Sequence, residues 1–135
     1  MKRLMGDAAL QTTKALPNGA ANVTSSFLDL GASSTSDFVA DTELLIELPA
    51  QVTGVLGDGT TIICDILTSP NTDGSNPTTV AKAVLTQTGA GGVGSAAVSA
   101  RFRPASDTQR YIGVKATKSA AGDASGTTMT VSLKF

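Results

Sequence analysis

The chain has 135 residues, of which 41% are hydrophobic, 16% charged and 4% aromatic, with no His, no Trp, one Cys and a net charge of −1. This length suits a single domain with a hydrophobic core of its own. Without His the sequence excludes Ser–His and Cys–His nucleophile pairs and His-ligated metals, and one Cys excludes an internal disulfide. We therefore expect no enzymatic activity and no cofactor.

Alternation of apolar and polar residues dominates the chain, and clusters of Gly, Pro, Asn, Asp and Ser interrupt it. Such alternation is typical of half-buried β-strands. In chain order, the predicted strands cover residues 10–15, 22–30, 42–48, 60–68, 81–88, 96–103, 110–118 and 128–135. Short strands separated by turns predict an all-β fold, an antiparallel β-sandwich. A jelly roll of about eight strands is the preferred topology, and a different sandwich is the alternative.

The alternation also predicts which side chains face the core. The predicted inward residues are Leu44, Ile46, Leu48, Ile62, Cys64, Ile66, Val98, Ala100, Phe102, Ile112, Val114, Ala116, Met129, Val131, Leu133 and Phe135. Cys64 is then a small buried hydrophobe. We expect one β domain over residues 1–135, with 1–9 as an extended N-terminal arm. The loops 32–41 and 70–79 are long for hairpins, so we expect them to cross between sheets or to contact a partner.

Charge is distributed unevenly, with three bases and eight acids in residues 1–67 but seven bases and three acids in 68–135. Basic residues on the last two predicted strands before the C-terminal one are Arg101, Arg103, Arg110, Lys115 and Lys118. If those strands are neighbours, these side chains form a basic patch. The patch is interpreted either as solvated charge or as a docking site for an acidic protein surface. A sequence pI near 5.2 argues against a nucleic-acid partner.

Three motifs resemble ligand sites, and each is interpreted as ordinary structure. Residues 89–94 read GAGGVG, but the dinucleotide motif requires a following helix, and here a strand pattern follows, so we predict a turn. Residues 71–76 resemble half of a calcium loop, yet Lys82 stands where the ligating Glu belongs, so we predict a polar turn. Glu43 and Glu47 lie roughly 13 Å apart on one strand face, too far for a glycosidase pair, and are expected to be solvated.

The N-terminus carries no pattern of a secretion signal. Lys2 and Arg3 are basic, but Asp7 follows before any apolar run of signal-peptide length. The longest apolar stretches are far below the roughly 18 residues of a membrane helix. We therefore expect a soluble protein, made in a cytoplasm, with no membrane partner.

A family resemblance adds to this interpretation. Residues 8–31 (AALQTTKALPNGAANVTSSFLDLG), followed by the strand TELLIELP, resemble the start of small cement, or decoration, proteins of tailed-bacteriophage capsids. In that family an Asp-Leu-Gly ends a Ser/Thr-rich strand, as residues 29–31 do here. Residues 62–73 (IICDILTSPNTD) resemble the next family signature, a strand that ends in Thr-Ser and an acidic turn. Arg110-Tyr111 at the start of the penultimate strand also matches.

The resemblance implies a structural virion protein with a jelly-roll-like domain. It implies a homodimer that is made in the host bacterial cytoplasm and binds the outside of the head, at contacts between major capsid protein subunits, without catalysis. Residues chosen as candidate partner contacts are Lys2, Arg3, Asp37, Phe38, Asp73, Arg101, Arg103 and Arg110. One alternative is a tail, baseplate or fibre component. Another is a non-catalytic carbohydrate-binding module, although few aromatic residues are present to stack on a sugar.

Overall fold

The computed structural model describes residues 11–30, 43–104 and 108–134. These residues form nine β-strands: β1 (Gln11–Ala15), β2 (Asn22–Thr24), β3 (Leu28–Asp29), β4 (Glu43–Leu48), β5 (Thr61–Ser69), β6 (Thr78–Thr88), β7 (Val98–Phe102), β8 (Tyr111–Lys118) and β9 (Thr128–Lys134). Sheet I has the strand order β1-β9-β4-β7. Sheet II has the order β2-β8-β5-β6, and β3 also pairs with β8. All strand pairs are antiparallel, so the predicted all-β antiparallel sandwich is confirmed.

The predicted strands 22–30 and 81–88 differ most from the observed ones. The first is divided into β2 and β3, because Ser25 leaves the strand pattern and its hydroxyl oxygen accepts a hydrogen bond from the backbone N–H of Val114 at 3.0 Å. The second begins three residues earlier than predicted, at Thr78. Its first residues are threonines, which favour strands, and Thr78 pairs with Thr68 of β5.

One hydrophobic core lies between the two sheets. The predicted inward residues that are buried in it are Leu44, Ile46, Leu48, Ile62, Cys64, Ile66, Ile112, Val114, Ala116, Met129, Val131 and Leu133. Three further predicted core residues, Val98, Ala100 and Phe102, are half-buried against this core, because β7 is an edge strand. Phe135 lies outside the described residues.

Strand register defines two ends of the sandwich. At one end Thr61 pairs with Thr88 and Ile62 with Lys118. At the other end Ser69 pairs with Tyr111 in sheet II, and Glu43 with Lys134 in sheet I. The ranges 1–10, 31–42 and 105–107 lie outside the described residues. The predicted arm 1–9 and the predicted loop 32–41 fall within these ranges.

Candidate functional site

Three short motifs from distant parts of the chain meet at one corner of sheet II. Tyr111 pairs with Asp29 of β3 on one side and with Ser69 of β5 on the other. These residues belong to the three segments that carry the family resemblance, 29–31, 62–73 and 110–111. We call this region the motif corner, defined by Phe27, Asp29, Ser69, Asn71, Asp73, Gly74, Arg110 and Tyr111.

Arg110 and Asp29 form a two-pronged ion pair in the motif corner. Arg110 Nε donates to Asp29 Oδ1 and its Nη2 donates to Oδ2, both at 2.9 Å. The hydrogen bonds to Asp29 raise the pKa of the guanidinium. The same guanidinium lies 5.1 Å from the centre of the Tyr111 ring, a cation–π distance. Because both charged side chains are about half exposed, the pair contributes little to folding but fixes the direction of two polar groups at the surface.

Phe27 lies between β2 and β3 and packs against two glycines of the neighbouring segments. A Cβ atom placed on Gly74 would lie 2.5 Å from Cε1 of Phe27, and one on Gly113 would lie 3.0 Å from its Cδ1. Gly74 also has a φ of +76°. The ring therefore needs glycine at both positions, and it joins the turn after β5 to the outer face of β8.

The turn after β5 is held by its own side chains. The Ser69 hydroxyl donates to the carbonyl oxygen of Ser75, and Asn71 Nδ2 donates to Ser75 Oγ at 2.8 Å. The backbone N–H of Ser75 donates to Asp73 Oδ1 at 2.9 Å, and this hydrogen bonding lowers the pKa of Asp73. The predicted polar turn at 71–76 is thus confirmed. It presents the exposed, ionised carboxylate of Asp73 next to Gly74, the glycine that packs against Phe27.

The motif corner exposes several kinds of polar group. It offers one charged pair, one ionised Asp, amide and hydroxyl groups, and the half-buried ring of Tyr111. Over residues 11–30, 43–104 and 108–134, no group of three or more Cys, Asp, Glu or His side chains is arranged to hold a metal ion. The only thiol, Cys64, is buried in the core, where desolvation raises its pKa to about 12.

The prediction of a single basic patch is wrong. The strands β7 and β8 belong to different sheets, because the chain crosses the sandwich between them. On sheet I, Arg101 Nη1 lies 3.5 Å from Glu43 Oε1, and Arg103 Nη2 lies 3.9 Å from Glu43 Oε2. On sheet II, Lys115 Nζ lies 3.9 Å from Asp65 Oδ2. The basic residues are therefore divided between two outer faces, and each group lies beside a carboxylate.

The prediction that Lys118 belongs to this basic patch is also wrong, because its side chain is buried. Its side chain lies on the same face of β8 as the core residues Ile112, Val114 and Ala116, and only 2% of its surface is exposed. Its ammonium donates to the carbonyl oxygens of Ala120 and Ala121, both at 2.7 Å. Burial lowers the pKa of this lysine. Lys118 thus closes the end of the core instead of contacting a partner.

The eight candidate contact residues are placed as follows. Asp73 and Arg110 lie in the motif corner, whereas Arg101 and Arg103 flank Glu43 on the other sheet at the same end of the sandwich. The remaining four, Lys2, Arg3, Asp37 and Phe38, lie outside the described residues. Phe27 was not predicted as a site residue, because its glycine partners are distant in sequence and a single sequence carries no signal that pairs them.

The GAGGVG segment is a turn between β6 and β7, as predicted. Gly91, Gly92 and Gly94 all have positive φ angles, and the strand β7 follows them. Within the part of the chain that the structure describes, no helix has the length and apolar composition to cross a membrane.

Comparison with known proteins shows no related family. A scan against protein-family models found no match, and a search of curated proteins found no similar sequence.

Proposed function

We propose that this chain is a cement protein of a tailed-bacteriophage head. It binds the outside of the assembled shell, at contacts between major capsid protein subunits, and stabilises the shell without catalysis. The observation that carries the proposal is the motif corner. Three segments that resemble this family, separated by up to 81 positions between Asp29 and Arg110, are joined there by strand pairing and hydrogen bonds.

The strand order supports a jelly roll as part of the proposal. If β2 and β3 are counted as one strand interrupted at Ser25, each sheet has four strands. In the described part of the chain, β5 and β6 are then the consecutive strands that pair with each other, and the other connections cross between sheets. Two four-stranded antiparallel sheets joined in this way are typical of jelly rolls.

The composition also fits a protein that works by contact. Nearly half of the residues are Ser, Thr, Ala or Gly, whose side chains lose little rotamer entropy when an interface orders them. A partner that binds only the intact shell stabilises it by mass action, and many copies on a symmetric particle multiply the effect. We propose a homodimer in solution, and sedimentation as a monomer at micromolar concentration contradicts that part.

The test uses shells assembled without this chain, to which the purified protein is added. We expect saturable binding to the exterior and a higher temperature of shell rupture than in the untreated shells. Shells that fail to bind the protein, or that rupture at the same temperature with it bound, contradict the proposal. Binding of only a few copies per particle favours a tail, baseplate or fibre component instead.

A further inference from the structure

The end of the sandwich opposite the motif corner carries an uncharged surface. It is formed by two loops, residues 49–57 (PAQVTGVLG) and 89–97 (GAGGVGSAA), neither of which contains a charged residue. Gln51 and Ser95 join them through a reciprocal pair of backbone hydrogen bonds, each 2.9 Å long. We call these two loops the loop platform.

Two exposed valines stand on the loop platform. The exposed fraction of Val52 is 67% and that of Val93 is 78%, and they are the exposed large hydrophobic residues of the described chain. The same loops carry four exposed alanines: Ala50, Ala90, Ala96 and Ala97. Scattered single hydrophobic residues are ordinary on protein surfaces, but these two lie on uncharged loops that are joined beside Val52, at Gln51, and two residues after Val93, at Ser95.

The backbone holds the loop platform in one conformation. Gly94, with φ +80°, approaches the other loop so closely that an added Cβ would lie 2.7 Å from the carbonyl carbon of Val52. The N–H of Gly92 donates to Asp58 Oδ1, and that of Gly59 to the Gly89 carbonyl oxygen, both at 2.9 Å. A surface ordered before binding loses less entropy on association.

Two exposed carboxylates border the loop platform. Asp58 is hydrogen-bonded to Gly92 of the second loop, and Asp123 follows Gly122, which packs against the Val55 carbonyl of the first loop. The hydrogen bonds from Ser125 lower the pKa of Asp123, so it is ionised at neutral pH. Two described lysines lie at this end: Lys118 is buried, whereas Lys14, paired with Met129, is exposed on the edge strand β1 of sheet I. An apolar surface with an acidic border fits a partner with an apolar depression bordered by Lys or Arg.

We infer that the loop platform is a second docking surface, and that its occupant is such a basic-rimmed apolar depression on a shell subunit. This inference rests on the proposed function. With the motif corner at one end of the sandwich and the loop platform at the other, one molecule bridges two neighbouring subunits of the shell.

The test measures co-sedimentation of purified protein with shells assembled without it. The variant combines Val52→Ser with Val93→Ser, and the matched control combines Thr86→Ser with Thr88→Ser, exposed positions on β6 before the same loop. The variant removes two apolar side chains from the contact, so we expect it to bind at least tenfold more weakly and the control to bind like wild type. Because both valines are mostly exposed, we expect unchanged thermal unfolding of the free variant.

The possible outcomes separate the two proposals. If the wild-type protein and the double valine variant bind equally well, the docking role of the loop platform is overturned but the cement function is not. Wild-type protein that does not bind overturns the cement function and the platform with it. If the double variant unfolds early, Val93→Ser alone replaces it, and equal binding by that variant overturns the role of Val93 as an anchor. Asp58→Asn with Asp123→Asn tests the rim, and we expect it to weaken binding and to reduce its dependence on salt.

Discussion

The backbone N–H of Ala83 donates a hydrogen bond of 2.9 Å to Asp65 Oδ1, across the irregularity where β5 and β6 lose register. Ala83 has a φ of 53°, so β6 is bulged at this point. The strand β6 forms one edge of sheet II, and bulges at sheet edges prevent regular pairing with another chain. This contact therefore protects the longest edge strand of the described chain from pairing with another chain.

Replacement of Ala83 by glycine tests the strain in this bulge. A left-handed φ strains an L-residue in the folded state by roughly 1–2 kcal/mol. Glycine relieves that strain, but its greater freedom in the unfolded chain lowers the free energy of unfolding by about 0.4–1 kcal/mol. We expect Ala83→Gly to raise the free energy of unfolding by up to about 1 kcal/mol, measured by urea denaturation. Ala20→Gly is the control, because Ala20 is exposed and its φ is not positive, and we expect it to destabilise. Equal destabilisation by both substitutions contradicts a strained Ala83.

The packing of Phe27 on Gly74 predicts a coupled pair of substitutions. We expect Gly74→Ala to destabilise more than Gly59→Ala, since both glycines have positive φ but only an added methyl at Gly74 meets the Phe27 ring. We expect Gly74→Ala to lower the free energy of unfolding by about 1–3 kcal/mol more than Gly59→Ala does, the usual cost of overpacking. In a Phe27→Ala background the excess disappears, which a double-mutant cycle of unfolding free energies measures. An excess that persists without the ring shows that the ring is not its cause.

The buried ammonium of Lys118 is expected to be necessary for stability. Lys118→Met removes the donor to the carbonyl oxygens of Ala120 and Ala121, and we expect a loss of about 1–3 kcal/mol in unfolding free energy. Lys115→Met is the control, because Lys115 lies on the outer face, 3.9 Å from Asp65, and its loss is expected to be smaller. If Lys118→Met is as stable as the control variant, the two carbonyl contacts do not contribute.

Cys64 predicts how stability depends on alkaline pH. Its folded-state pKa of about 12 lies above the ordinary value of 9.0, so the folded protein keeps the thiol proton while the unfolded chain loses it. The stability that the buried, protonated thiol contributes to the free energy of unfolding is fully present below pH 9. It is lost progressively as the pH rises toward 12, because the unfolded chain then ionises first. We expect Cys64→Ala to reduce the fall in unfolding free energy over this range by up to about 1.4 kcal/mol per pH unit. Identical pH profiles for variant and wild type contradict a buried, protonated thiol.

The motif corner predicts a substitution that separates binding from stability. Arg110→Ala removes the exposed pair with Asp29, and we expect the midpoint of thermal unfolding to remain close to that of wild type. Binding to shells is expected to weaken at least tenfold, because a fixed polar pair at an interface is lost. Lys82→Ala, an exposed base on β6, is the control and is expected to bind normally. Equal binding by both variants places the contact elsewhere.

The strands and their buried faces were predictable, because alternation with period two is a local property of the sequence. Thus Met129, Val131 and Leu133 are buried as predicted. Strand order depends on contacts between distant segments, so the assumption that β7 and β8 are neighbours was wrong. The inward position of Lys118 follows from the parity of Ile112, Val114 and Ala116, and here the sequence contained the signal. The contact of Phe27 with Gly74 and Gly113 had no such signal.

The central claim is that this chain stabilises an assembled shell from outside. The most direct measurement counts the bound copies per particle, against the major capsid protein, after purified chain is added to shells assembled without it, and records the rupture temperature of the same sample. We predict saturation at hundreds of copies, in proportion to the shell subunits, with an increase in rupture temperature that follows occupancy. No binding, a few copies per particle, or full occupancy without any change in rupture temperature contradicts the claim.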